Sequence, residues 1–179
     1  GTYCAHWPSL VEALNKLKPN NSQGEYYLTD AVRLLMKRGQ RCLAVIHPRA
    51  EESMGVNSRR QLAELNRILN LKTLGKLMDD GGTIIDPNAT WIDSTVTIGR
   101  DTTVWPGVVL TGRTSIGENC VIRPGCRLHD MTVGDGAELL DHVIATDSQI
   151  GSDSHVGPMA HLRPGTVLTE KCKLGNFVE

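Results

Sequence analysis

Aromatic side chains are scarce in this chain, at 4% of 179 residues with a single Phe. A core built on large rings is thereby excluded, and aliphatic and small side chains must fill the interior. No apolar run approaches the roughly 18 residues that a membrane span requires. The net charge of −1 supplies no basic surface for nucleic acid or an anionic membrane, so neither partner is expected. The five cysteines are odd in number and include no CxxC pair. They read as reduced packing residues rather than disulfides or metal ligands, which fits a reducing compartment such as the cytoplasm. The chain starts at Gly1 rather than Met, and Leu174 to Glu179 reads as a fresh repeat with no polar closing element. A solenoid normally ends in such an element. The expectation is therefore a fragment open at both ends.

Periodicity is what the chain has in abundance. From Ile92 an aliphatic residue returns every sixth position, at Ile92, Ile98, Val104, Leu110, Ile116, Ile122 and Leu128. The run resumes at Ile144, Ile150, Val156, Leu162, Leu168 and Leu174. Val133 and Leu139 join the two runs, with two five-residue steps in the bridge. Four residues after each of these anchors stands a small or β-branched side chain, as at Thr102, Cys120, Cys126, Ser154 and Cys172. Neither a helical period nor strand alternation produces this pattern. One large and one small inward residue per six is the signature of a parallel β-helix. Gly99, Gly117, Gly134, Gly151, Gly157 and Gly175 directly follow anchors, where a bend is expected to make a Cβ costly.

The first 57 residues lack the hexad. Tyr3–Ala5 reads as a strand end. Ser9 is expected to start a short helix through Leu10, Val11, Leu14 and Leu17, and Thr29 to cap a second one that ends at Gly39. Cys42–Ile46 reads as a buried strand closed by His47-Pro48. The piece is mixed α/β and too small to bury a good core alone, so it is expected to belong to a larger domain. Asn57 or Ser58 is placed to cap a further helix running to about Met78, with Leu62, Leu65, Ile68 and Leu69 as its apolar stripe. Asp79-Asp80-Gly81-Gly82 breaks it.

Four stretches carry a resemblance to one family. They are Gln23 to Asp30; Gly55-Val56-Asn57 followed by Arg60-Gln61-Leu62-Ala63; Ile85-Asp86-Pro87 leading into Ile98 to Thr102; and Leu162-Arg163-Pro164-Gly165 with Gly175 to Glu179. Together and in order they resemble the bifunctional bacterial N-acetylglucosamine-1-phosphate uridylyltransferase / glucosamine-1-phosphate N-acetyltransferase. The resemblance implies three parts. Residues 1–57 would be the α/β tail of a nucleotidyltransferase domain, 58–78 a linker helix, and 79–179 an incomplete left-handed parallel β-helix. The left hand comes from the resemblance, since a period of six does not set it. The activity implied is acetyl-CoA-dependent acetylation of glucosamine 1-phosphate. Uridylyl transfer from UTP to N-acetylglucosamine 1-phosphate would follow, releasing pyrophosphate and giving UDP-N-acetylglucosamine for cell-wall and lipopolysaccharide precursors. Mg²⁺, a homotrimer and a cytoplasmic location are implied with it.

Residue by residue, Asn57 matches the asparagine that helps an aspartate hold Mg²⁺, a role that suits an oxygen donor and a hard cation. Capping the linker helix is its other reading, and the two are compatible. Glu25, Tyr27 and Thr29 match the stretch beside the sugar pocket, where carboxylate, phenol and hydroxyl orient sugar hydroxyls; a loop-and-cap role is the alternative. Arg163 matches the arginine that grips the sugar phosphate of the acetyltransferase, and a guanidinium fork suits that task. Arg123 occupies the same phase and reads as a solvated surface arginine. Glu179 matches a carboxylate near the acetyltransferase site, with a subunit ion pair as the alternative. His155 and His161 lie six apart, hence on adjacent faces of a three-sided coil, which argues against a zinc cluster. The family's Gly-rich nucleotide loop and magnesium aspartate would precede Gly1, and its catalytic histidine and acetyl-CoA-binding residues would follow Glu179. No catalytic residue is therefore expected between them, and neither reaction from this stretch alone. Two rival readings stand beside this one. The β-helix of a sugar nucleotidyltransferase could serve only for oligomerisation, or the chain could be a non-catalytic trimeric binding protein.

Overall fold

The computed structural model describes residues 2–20, 22–49, 52 and 54–179. They form two compact units, Gly1–Gly55 and Val56–Glu179. In the first unit, α1 (Trp7–Leu14) and α2 (Leu28–Lys37) pack through Ala13, Ala31 and Leu35. Helix α1 begins two residues before Ser9, because Pro8 fits the first helical turn, where no intrahelical partner for its nitrogen is missing. Helix α2 begins at Leu28 with Tyr27 as its N-cap, and no side chain caps it, so Thr29 lies inside the first turn instead. Asp30 in the first turn and Lys37 in the last suit the helix dipole. Arg38 reaches Glu12 at 3.0 Å and ties the two helices together.

Two expected strands do not form. Tyr3–Ala5 and Cys42–Ile46 form no strand pairing among the described residues, and Leu43, Val45 and Ile46 are 73%, 90% and 91% exposed. A strand needs a neighbouring backbone to bond to, and no described residue of this unit supplies one.

The second unit opens with α3 (Arg59–Asp79). Ser58 Oγ accepts the Gln61 N–H at 3.2 Å, while the Asn57 N–H donates to Gln61 Oε1 at 2.7 Å. This exchange resembles a capping box and fixes where the helix starts. The expected stripe of Leu62, Leu65, Ile68 and Leu69 is not the buried one. Asn70, Leu74 and Leu77 are buried, whereas Leu62 and Leu69 are exposed. The buried residues all lie in the C-terminal half of the helix, where Leu71, Leu74 and Leu77 join the core of the coil that follows.

From Thr83 the chain winds into three parallel sheets. Their strands begin at Thr83, Thr103, Val121, Glu138, His155 and Lys173 on the first face. On the second they begin at Trp91, Val109, Arg127, Ile144 and His161, and on the third at Thr97, Ser115, Thr132, Gln149 and Val167. This is a parallel β-helix, and it fits the left hand that the resemblance implies. Each anchor stacks on the anchor one coil away, as Val104 does on Ile122 and Leu139 on Val156. The resulting column is almost sealed: Leu110, Ile122, Leu139 and Val156 have no exposed surface. Burying each of these contributes about 1.5–3 kcal/mol.

One anchor is misplaced by the hexad reading. Ala145, not Ile144, is the inward residue, because it is Ala145 that pairs with Leu128 and Leu162. Ile144 is 46% exposed and Ala145 1%. Pairing with the coils on either side outranks side-chain size in setting the register.

Gly157 has the positive φ (99°) that the expected bend implies, but Gly99, Gly117, Gly134 and Gly151 have a different cause. Gly99 is not in the left-handed region; a Cβ there would sit 2.5 Å from the Gly117 carbonyl carbon of the next coil. At these four positions close stacking, rather than a bend, excludes a side chain. The left-handed residues lie two positions further on, at Asp101, Asn119 and Asp153, with φ between 55° and 59°. Their N–H groups bond to carbonyls of the preceding coil, and Asp and Asn tolerate that conformation best after glycine.

Asn70 closes the start of the coil. Its Nδ2 donates to Thr90 O at 2.8 Å and its Oδ1 accepts the Ile92 N–H at 3.1 Å. One carboxamide thus provides the donor and acceptor that a neighbouring strand would give to this edge.

Candidate functional site

Residues on either side of an inward anchor both point outward, so His161 and Arg163 flank Leu162 on the same outer face. The backbone of Arg163 is firmly held. Its carbonyl accepts hydrogen bonds from Ser148 Oγ at 2.8 Å, Thr166 Oγ1 at 2.7 Å and the Thr166 N–H at 3.1 Å. Its guanidinium is in contact with solvent, and Nε and Nη2 reach Glu179 Oε1 at 3.0 and 2.5 Å. His161 Nδ1 lies 3.7 Å from the same oxygen. The hydrogen bond from Arg163, then its charge, hold the Glu179 carboxyl below the usual carboxylate range, and His161 contributes less. Side chains this exposed make a weak ion pair, so the contact is no stability device. It presents a positioned guanidinium whose anion is readily exchanged.

Arg123, at the same phase of an earlier coil, differs. It donates to Glu138 Oε1 through Nε and Nη2 at 3.2 and 3.1 Å, and its guanidinium carbon lies 5.3 Å from the centre of the Trp105 ring. The expectation of a freely solvated arginine is corrected here. Carboxylate and indole engage it, which leaves Arg163 the more available of the two.

The other site residues lie apart from this cluster in sequence. Glu25, Tyr27 and Thr29 are exposed around the start of α2, and the Tyr27 hydroxyl donates to Gln23 Oε1 at 2.7 Å. Asn57 is exposed, and its backbone is engaged by Gln61. Its carboxamide offers a divalent cation one oxygen. Among the described residues no group of three or more His, Cys, Asp or Glu side chains is arranged to hold a metal. Asn57 therefore suits a cation only as one ligand of a set completed elsewhere, and no step is assigned through it.

His155 and His161 do lie on adjacent faces, on strands of the first and second sheets. Sequence reasoning passed over His161 as a partner of Arg163, and over Ser148 and Thr166 as its anchors. The i, i+2 spacing of His161 and Arg163 around an anchor was a usable signal. The Ser148 contact was not legible, because it depends on which coils stack.

The chain is 45% identical over 179 residues to the bifunctional protein GlmU of Geobacillus sp. (strain WCH70), covering all of this chain and 39% of that one. It is 44% identical over 179 residues to the protein of the same name in Clostridioides difficile (strain 630), again covering 39% of it. The corresponding protein of Streptomyces avermitilis is 46% identical over 170 residues, or 95% of this chain and 35% of that one. The chain is similar to these GlmU proteins along essentially its whole length. It spans about two fifths of the length of these curated relatives. Residues 92–178 also match the family described as GMPPB C-terminal domain. A solved hexapeptide-repeat-containing acetyltransferase of Vibrio cholerae O1 biovar eltor, complexed with acetyl coenzyme A, overlays with TM-score 0.47 and 15% identity. The overlay covers 66% of this chain and 85% of that one. No helix among the described residues is long and apolar enough to cross a membrane.

Proposed function

We propose that this GlmU segment serves a bifunctional transferase that makes UDP-N-acetylglucosamine. In this reading residues 1–57 end the uridylyltransferase domain, 58–78 link the two halves, and 79–179 begin the acetyltransferase. The amine of glucosamine 1-phosphate attacks the acetyl-CoA thioester, forming the amide and releasing the thiol of CoA. N-acetylglucosamine 1-phosphate then attacks the α-phosphorus of UTP and pyrophosphate leaves. The observation that carries the reading is the exposed Arg163 guanidinium, pinned through its own carbonyl and already holding a carboxylate. Such a fork suits the phosphate of the sugar substrate. Glu179 is the neighbouring carboxylate of that site. Glu25, Tyr27 and Thr29 orient the sugar at the uridylyltransferase site. Asn57 contributes one oxygen to Mg²⁺, which when bound neutralises charge developing on the triphosphate. The working assembly is a cytoplasmic homotrimer.

Arg163→Ala and Asn57→Ala, made in the intact protein, test this assignment. Arg163→Ala is expected to abolish acetyl transfer and spare uridylyl transfer. Asn57→Ala is expected to do the reverse at limiting Mg²⁺. Acetyl transfer retained by the arginine variant, or uridylyl transfer untouched by the asparagine variant, removes the corresponding assignment.

A further inference from the structure

Two outward side chains that flank Leu162 converge on a single oxygen. Glu179 Oε1 accepts both donors of Arg163, and His161 Nδ1 stands 3.7 Å away. That distance is too long for a hydrogen bond, yet it suits an ion pair once the imidazole is protonated. All three side chains are about half exposed or more, so an anion from solution can compete for the guanidinium. A phosphate dianion that takes the fork leaves the Glu179 carboxylate beside two further negative charges. That carboxylate needs another cation within reach. The groups around His161 are few. Arg163 lies two residues on, just past the end of its strand, and Glu179 faces it from the following coil. On the adjacent strand its register partner is the uncharged Ile144, with Arg127 one strand further in the same row.

We propose that His161 is a positioning residue for sugar-phosphate binding, which takes a proton from solvent and receives the Glu179 carboxylate when a phosphate displaces it from Arg163. The proposal rests on the reading of Arg163 as the phosphate-binding residue. Binding is then coupled to proton uptake, and no covalent bond changes. His161 acts through Glu179 and does not touch the reacting atoms.

The test is titration calorimetry of the intact protein with glucosamine 1-phosphate, in buffers of different ionisation enthalpy, for the wild type, His161→Gln and His161→Lys. The wild type is expected to take up protons on binding near pH 7. Its affinity relative to that of His161→Gln should fall as the pH rises from 6 to 8. His161→Gln should bind several-fold more weakly and lose the histidine part of the uptake. His161→Lys should bind with little uptake, because its charge is already present. The second ionisation of the phosphate, near about 6, is common to all three proteins and cancels in the comparison. Equal uptake and affinity in the wild type and His161→Gln overturns the proposal while leaving Arg163 in place. Failure of the wild type to bind the sugar phosphate instead overturns the phosphate site itself, and the proposal with it.

Discussion

Residues 42–46 and residues 120–122 are both short runs of Cys and aliphatic side chains, with opposite outcomes. Val45 and Ile46 are almost fully exposed, while Cys120 and Ile122 have no exposed surface. Their intrinsic preference for extended backbone is alike. The difference is supplied by neighbours. Val121–Ile122 has a strand on each side, beginning at Thr103 and Glu138, and each was made by the same repeat a coil earlier or later. Cys42–Ile46 has no such partner among the described residues of its unit. A repeat carries its own surroundings with it, whereas a strand of a mixed α/β sheet depends on distant parts of the chain.

That contrast is broken most severely in the middle of the column. Ile122→Ala removes three carbons from a fully buried site with coils on both sides. It should cost about 2–5 kcal/mol in chemical denaturation followed by circular dichroism. A cost below 1 kcal/mol would mean the coils are not packed as described. Next comes the end of the column. Asn70→Ala leaves the Ile92 N–H and the Thr90 carbonyl without their partner and should cost about 1–3 kcal/mol. Hydrogen exchange should rise first at Ile92, and uniform exchange along the coil would show that Asn70 is not the local clamp. The smallest effect is expected where neighbours are lacking. Val45→Ser should change the stability of this chain by less than about 0.5 kcal/mol, since the side chain is already in water. A large loss in the same measurement would place Val45 in a core.

The same contrast explains what was readable beforehand. The β-helix was legible because each hexad reports on its neighbours, and most anchors from Ile92 to Leu174 point inward. The exception, Ile144, shows the limit: a five-residue step falls one corner later than side-chain size suggests, and only pairing reveals it. The stripe on α3 was misread because helical periodicity identifies an apolar face without saying how much of it is covered. Asn70, a polar residue, is buried where Leu62 is not. At the candidate site, Arg163 and Glu179 meet although 16 residues separate them, roughly one coil. Their individual matches were available from the resemblance, but the shared oxygen with His161 depends on how coils stack.

The coils are not equal in length. Successive inward residues on the second face, Ile92, Leu110, Leu128, Ala145 and Leu162, stand 18, 18, 17 and 17 positions apart. Between Ile84 and Val104 on the first face the interval is 20, and it includes a short 3-10 turn at Pro87–Ala89. Every one of these intervals returns the chain to the same column. Single-residue deletions and small insertions are thus absorbed at corners, where no inward side chain is displaced. In such a molecule the reading frame of the core is renewed at each turn. A length change that would shift every later residue of an ordinary strand is forgotten here within one circuit.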